Sequence, residues 1–115
     1  MTDARDALDR LRVDALARVV STQAALDELV HDREGSNDDD EHDPEGVTLS
    51  SEWSRLRALA EAAAAELRQV DDAIGRWDSG AYGVCARCGR PIPDARLEAR
   101  PFATHCVACA EALGH

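Results

Sequence analysis

The sequence predicts a fold dominated by α-helices: a long antiparallel coiled-coil helical hairpin, followed by a small C-terminal module built on cysteines and containing a short terminal helix. Two long runs, in which apolar residues recur every three or four positions, predict the hairpin. The cysteines predict the module, because all four in this chain of 115 residues lie in its last third, in two matched pairs. We expect the hairpin to occupy residues 1–79 and the module residues 80–115.

The first helix is predicted over about Asp3–Arg33, with Gly35 as its stop signal. Its apolar stripe advances in steps of three or four through Leu8, Leu11, Ala15, Val19, Thr22, Leu26 and Leu29. Such a narrow stripe covers one side of a helix and has to be buried against another element.

The second helix is predicted over about Ser51–Trp77, with Ser50 or Ser51 as its N-cap. Its stripe alternates steps of three and four without exception, through Trp53, Leu56, Ala60, Ala63, Leu67, Val70, Ile74 and Trp77. This spacing is a heptad seam. Two helices of similar length with one stripe each bury both stripes most simply by pairing as an antiparallel hairpin.

The connection between the helices, at about residues 34–50, is predicted to be an acidic tip loop. Eight carboxylates and one arginine lie between Asp32 and Glu45. A solvated linker is one interpretation, since charge runs are usually solvated. A functional loop is the other, because long loops in small domains are usually functional or mobile. An EF-hand is excluded, since the positions that need glycine and glutamate hold Asp43 and Leu49.

The cysteines follow the pattern Cys-x2-Cys-x17-Cys-x2-Cys, formed by Cys85, Cys88, Cys106 and Cys109. This spacing is typical of a zinc ribbon or a treble-clef-like zinc site. Four thiolates close the shell of a tetrahedral ion, so we predict one structural Zn²⁺ per chain in a C4-type zinc finger. Iron in a tetrathiolate site is the minor alternative. His105 is interpreted as a neighbour of the site, not a ligand.

Charge and composition restrict the function classes. A formal net charge of -10 argues against a general polyanion binder, whose affinity depends on Lys and Arg. No segment has the apolar length of a membrane span, and the N-terminus lacks the apolar core of a secretory signal. We therefore expect a cytoplasmic protein, where paired cysteines usually bind metal. No nucleophile triad, phosphate loop or open metal site is apparent, so no enzyme activity is expected.

The segment "GAYGVCARCGRPIPDARLEARPFATHCVACAE" resembles the C-terminal zinc finger of the DksA/TraR family of bacterial transcription factors. The resemblance covers Gly-x-Tyr-Gly-x-Cys-x2-Cys-Gly, then Ile92-Pro93, the pattern Arg96-Leu97-x-Ala99-x-Pro101, and the second cysteine pair. It spans about a third of the chain, and the hairpin deduced from periodicity is also what this family has.

The resemblance implies a regulator that binds RNA polymerase and inserts its coiled coil into the secondary channel. It implies a tip whose acidic residues approach the active centre of the polymerase. On this chain those residues would be Asp40, Asp43 and Glu45, where Glu45 replaces the alanine of the family motif Asp-x2-Asp-x-Ala. A monomer is expected, without direct binding to promoter DNA or to membranes.

Two other function classes stay open. The first is a zinc-finger protein that binds nucleic acid or another protein through four arginines of the module: Arg87, Arg90, Arg96 and Arg100. The second is a thiol-based redox sensor that loses its zinc on oxidation.

Overall fold

The structure is a computed structural model that describes residues 2–35 and 45–114. It contains two long helices, α1 (Thr2–Gly35) and α2 (Glu45–Asp78). Two short helices follow, α3 (Asp94–Ala99) and α4 (Val107–Ala112). None of the described helices has the length and apolarity that crossing a membrane requires.

The two long helices pack along the predicted stripes as an antiparallel coiled-coil hairpin. All fifteen stripe positions within α1 and α2 are buried or half-buried. Leu8 on α1 and Val70 on α2 are completely excluded from solvent, and Ala15, Ala63 and Ala73 are also buried. Alanine at these positions allows the two backbones to approach closely. The predicted fold class is therefore confirmed.

The start of the second helix differs from the prediction. The sequence places it at about Ser51 with a cap at Ser50 or Ser51, whereas α2 begins at Glu45 and contains both serines. Glycine, valine and threonine have low intrinsic helix propensities, so the segment from Gly46 to Thr48 reads as loop when taken alone. Extending an existing helix adds one hydrogen bond per residue ordered, and this cooperativity carries α2 through the segment.

Ion pairs between the helices accompany the seam. Arg5 on α1 contacts Asp78 at 2.9 Å, and Arg12 contacts Asp71 at 2.7 Å. Further along, Arg18 contacts Glu66 at 2.8 Å. The cations all lie on α1 and the carboxylates on α2, and their order along the two helices matches an antiparallel register. A shift of register would separate every one of these pairs.

Contacts within the chain define two compact units. One unit comprises Met1–Arg12 and Arg68–His115, which are the beginning of α1, the end of α2 and the cysteine module. The other comprises Val13–Leu67, which is the remainder of the two long helices. The predicted division of the chain between residues 79 and 80 stays a prediction.

Candidate metal centre

The first cysteine pair lies on a tight backbone turn. The amide of Cys85 donates to the carbonyl of Arg90 at 2.8 Å, and the amide of Gly89 donates to the carbonyl of Cys85 at 2.9 Å. Gly89 has φ of +75°, a conformation that only glycine adopts without strain. The glycine after the cysteine pair therefore reverses the chain and brings Cys88 beside Cys85.

The second cysteine pair lies at the start of α4. Cys106 is the N-cap residue of this helix, and Cys109 is buried within its first turn. The amide of Ala110 donates to the carbonyl of Cys106 at 2.9 Å, which fixes the two cysteines on one side of the turn. A hydrogen bond of 2.8 Å from the amide of Ala86 to the carbonyl of Thr104 joins the two cysteine pairs.

These turns bring the four predicted ligands together. The Sγ atoms of Cys85, Cys88, Cys106 and Cys109 all lie within 4.8 Å of one another, and those of Cys88 and Cys106 are 3.9 Å apart. A tetrahedral zinc ion with Zn–S bonds of about 2.3 Å needs sulfur–sulfur distances of about 3.8 Å. The donor set and its spacing fit one zinc ion. With four protein ligands the shell is closed, so the ion would stabilise the fold and would not bind substrate.

Cysteine side chains of the candidate metal site also form much of the core of the module. Cys85, Cys109 and Ile92 form the buried cluster, and Leu97 from α3 packs against it together with Cys106. So few apolar side chains bury little surface, and a domain this small usually needs a metal or disulfides to fold. The sulfurs therefore supply both the ligands and a large part of the packing.

Local hydrogen bonds shift the pKa values of two of the thiols in opposite directions. The backbone amide of Cys88, with smaller contributions from the amides of Cys106 and Arg87, lowers the pKa of Cys85 to about 5. Hydrogen bonding with Cys106, helped by burial, raises the pKa of Cys109 to about 12. At neutral pH Cys85 is thus already a thiolate, whereas an entering metal ion has to displace the proton of Cys109.

Tyr82 braces the module against the end of α2. Its hydroxyl donates to the carbonyl of Pro101 at 3.0 Å, and its ring lies 5.5 Å from that of Trp77. Burial raises the pKa of the Tyr82 phenol, and the charge of Arg76 offsets only part of that shift. The phenol therefore stays neutral and remains a donor at physiological pH.

The contacts of Tyr82 do not follow from the sequence, although the residue belongs to the pattern Gly-x-Tyr-Gly-x-Cys-x2-Cys-Gly. Its aromatic ring three residues before the first cysteine was the available signal. Arg96 is one of the four arginines through which the alternative zinc-finger function would bind nucleic acid or another protein. In the structure Arg96 is half-buried, and its Nε donates to the carbonyl of His105 at 2.9 Å. The other three arginines, Arg87, Arg90 and Arg100, are exposed.

The ring of His105 contacts Thr104 Oγ1 at 2.8 Å, and His105 is not one of the four residues that could hold the metal ion.

Of the three predicted tip residues, only Glu45 lies in the part of the chain that the structure describes. Asp40 and Asp43 lie outside the described residues, and Glu45 is the first residue of α2. Their predicted contact with a polymerase therefore stays a prediction.

Comparison with known proteins identifies the module. The prokaryotic DksA/TraR C4-type zinc finger matches residues 80–113. An uncharacterized protein of Aquifex aeolicus is 43% identical over 56 residues, covering 49% of this chain and 39% of that protein. The RNA polymerase-binding transcription factor DksA of Caulobacter vibrioides is 47% identical over 45 residues, covering 39% of this chain and 32% of that protein. These matches span two fifths or less of the relatives' own lengths.

The likeness extends to the helices. The structure of transcription factor DksA2 from Pseudomonas aeruginosa matches with a TM-score of 0.82 and 26% identity, over 98% of this chain and 81% of that one. The family-typical finger, the cysteine cluster and the paired long helices thus occur together. Residues 80–113 therefore form a zinc finger of the prokaryotic DksA/TraR C4 type, in a chain whose fold is similar to that of DksA2.

Proposed function

We propose that this protein is a DksA/TraR-like transcription regulator that binds RNA polymerase and inserts its coiled coil into the secondary channel. The carrying observation is the fold match to DksA2 over 98% of the chain, because it unites the finger with the helical hairpin. The Caulobacter relative is named as an RNA polymerase-binding transcription factor, and this name supports the choice of RNA polymerase as the partner. The proposal implies a regulatory factor, not an enzyme, and a cytoplasmic location.

The proposed division of labour follows from the parts. Each long helix has 34 residues, which corresponds to a length of about 50 Å. A pair of helices of this length is narrow enough to extend into a channel. The finger, whose structural zinc is enclosed by protein ligands, would bind the rim of the channel with its exposed arginines and short helices.

The acidic tip would act at the polymerase active centre. Asp40, Asp43 and Glu45 would place negative charge near catalytic Mg²⁺ or near basic residues of the channel. Such an effect depends on charge at one place more than on the geometry of a particular loop.

Binding to core RNA polymerase tests the proposal directly. We expect the purified full chain to bind core polymerase and to compete with other factors for the secondary channel. Cross-linking from a probe near the acidic segment should reach the channel interior. A chain that shows no affinity for core polymerase would sink the proposal.

The role of the tip is tested separately by replacing Asp40 and Asp43 with Asn. This change removes two charges and keeps side-chain size. We expect zinc content, helix content and most polymerase affinity to persist, while the effect on initiation in a purified transcription assay falls. The matched control replaces Asp3 and Asp6 with Asn, which removes the same charge at the start of α1. If both double variants regulate like wild type, the acidic segment is a solvated linker only.

A thiol-based redox sensor is the second candidate, favoured by one contact. Cys88 is exposed, and its sulfur lies 3.9 Å from that of Cys106. Oxidation of these two thiolates by one hydrogen peroxide, with two protons taken up, would yield a disulfide and two waters and release the zinc ion. Zinc release at low peroxide, reversed by a dithiol reductant, would support this function. Retention of zinc under the same treatment would exclude it.

A further inference from the structure

The segment between α3 and the second cysteine pair, residues 101–105, is here called the carbonyl loop. It forms neither helix nor strand, yet all of its residues are half-buried. A segment without regular structure has to pair its buried backbone groups with partners elsewhere. The carbonyl loop does so at Pro101, Phe102, Thr104 and His105, whose carbonyls accept hydrogen bonds from groups outside the loop. It is therefore a junction between separate parts of the chain.

Two of the four donors connect the carbonyl loop to the metal centre. The amide of Ala86, in the turn of the first cysteine pair, donates to the carbonyl of Thr104 at 2.8 Å. Nε of Arg96 on α3 donates to the carbonyl of His105 at 2.9 Å. His105 directly precedes Cys106, one of the four grouped thiols. A zinc ion that holds both cysteine pairs would therefore also fix this end of the loop.

The other two donors come from the end of α2 and the residues just after it. The hydroxyl of Tyr82 donates to the carbonyl of Pro101 at 3.0 Å, and Nη2 of Arg76 donates to the carbonyl of Phe102 at 3.4 Å. Tyr82 is itself held on the last turn of α2. Its amide and that of Ala81 donate to the carbonyl of Arg76 at 3.1 and 2.7 Å. The carbonyl loop thus joins the cysteine pairs to the C-terminal end of α2.

The end of α2 has little stability of its own. Gly75 lies inside the helix, where glycine lowers helix propensity, and no atom within 4 Å of its Cβ position requires a glycine. The last carbonyls of a helix have no partner within it, and that of Trp77 depends on the amide of Gly80 at 3.0 Å. The ion pair between Arg5 and Asp78 is partly exposed and contributes little. Contacts from the module are therefore important for this end.

We propose that zinc binding at the cysteine cluster holds the last turns of α2 in helical form, and that Tyr82 transmits this effect through the carbonyl loop. Without the ion, the second cysteine pair no longer fixes the loop, and the hydroxyl of Tyr82 loses its positioned acceptor. Coupling between two binding equilibria is reciprocal, so the Tyr82 contact strengthens zinc binding by the factor by which zinc strengthens the contact. Tyr82 is a positioning residue, because it acts through the loop and is not a metal ligand.

The deciding variant is Tyr82→Phe, which removes the hydroxyl and keeps the ring beside Trp77. Amide hydrogen exchange is measured on the full chain with and without zinc. In wild type we expect zinc to slow exchange of the Gly80 and Ala81 amides by about tenfold or more. In Tyr82→Phe this ratio of rates should fall about fivefold, which corresponds to the loss of one hydrogen bond. One zinc per chain and slow exchange of the Cys85 amide should persist.

Ser79→Ala is the matched control. Oγ of Ser79 donates to the carbonyl of Arg76 at 3.1 Å, so this change also removes a hydroxyl hydrogen bond at the end of α2, without reaching the carbonyl loop. The ratio of exchange rates without and with zinc at Gly80 and Ala81 should stay within about twofold of wild type.

Equal ratios in wild type and Tyr82→Phe would overturn the inference, and so would a wild-type ratio near one. If the Cys85 amide of zinc-saturated Tyr82→Phe also exchanges rapidly, Tyr82 belongs to the core of the module and the inference fails as well. Competition with a chelator provides the reciprocal measurement, in which Tyr82→Phe should bind zinc about fivefold more weakly. Unchanged zinc affinity would contradict the coupling. These measurements involve no RNA polymerase, so they stand or fall independently of the proposed function.

Discussion

The buried cluster of the zinc finger consists of Ile92 and two of the cysteines, Cys85 and Cys109, whereas the helix pair packs a continuous line of buried and half-buried residues from both helices. In the finger, Cys85 and Cys109 are simultaneously core residues and ligands. In the helices, Leu8, Ala15 and Val70 only pack. We therefore expect the finger to depend on one ion and the hairpin to depend on many small contributions, which respond to different perturbations.

The largest expected effect is the loss of the metal. Cys109→Ser should abolish binding of the single zinc ion and unfold the finger, because a structural zinc contributes on the order of 10 kcal/mol to coupled folding. The two long helices should keep most of their helical signal, as the division at residues 79 and 80 predicts. Elemental analysis and far-UV circular dichroism measure the two outcomes.

Ala86→Ser is the control for this change, since Ala86 is an exposed neighbour in the same module. It should retain one zinc per chain. If Cys109→Ser also removes most of the helical signal, the hairpin depends on the finger and the predicted domain boundary is wrong.

The next effect concerns the seam. Val70→Asp places a carboxylate at a position with no exposed surface, and we expect it to lower the free energy of unfolding by about 3 kcal/mol or more. Arg68→Asp, at an exposed position two residues earlier, should change it by less than about 1 kcal/mol. Thermal melts followed at a helical wavelength compare the two variants. Equal losses would mean that the heptad register does not describe the packing.

A smaller effect is the pH dependence of zinc binding. Since the pKa of Cys109 is raised to about 12, its proton is still bound at neutral pH and zinc must displace it. Apparent affinity should therefore fall at least about tenfold per unit as pH decreases from 8 to 6. The pKa of Cys85, lowered to about 5, adds a further loss only near and below that pH. Competition with a chelator of known proton affinity measures the slope, and a flat profile would contradict this thiol arrangement.

The smallest effect belongs to the ion pairs between the helices. Arg12 and Asp71 contact at 2.7 Å, but nearly half of each side chain is exposed. A double-mutant cycle with Arg12→Ala and Asp71→Ala should give a coupling of no more than about 1 kcal/mol, which weakens as salt is added. A much larger, salt-independent coupling would mean that the pair, and not the seam, determines the register.

Much of the fold could be predicted because its signals are local. Heptad spacing identifies the buried side of each helix, and every predicted seam position is buried or half-buried. The cysteine spacing likewise identifies the ligand set, since each pair lies on a turn short enough to bring both sulfurs to one ion. The start of α2 was missed because propensity describes residues singly, while helix extension from Ser51 back to Glu45 is cooperative.

The sequence by itself determined the two helices, their seam and the four metal-binding cysteines, because period and spacing are written along the chain. Only the tertiary structure decided which polar groups from distant parts of the chain contact one another. The hydroxyl of Tyr82 donates to Pro101, Arg96 to the carbonyl of His105, and Arg12 to Asp71, between residues 9 to 59 positions apart. Val13, Leu16 and Val20 lie outside the predicted seam, and the packing of α1 leaves all three exposed. Hydrogen bonds and ion pairs between distant residues depend on how the folded chain brings separate segments together. No local pattern in the sequence encodes that arrangement.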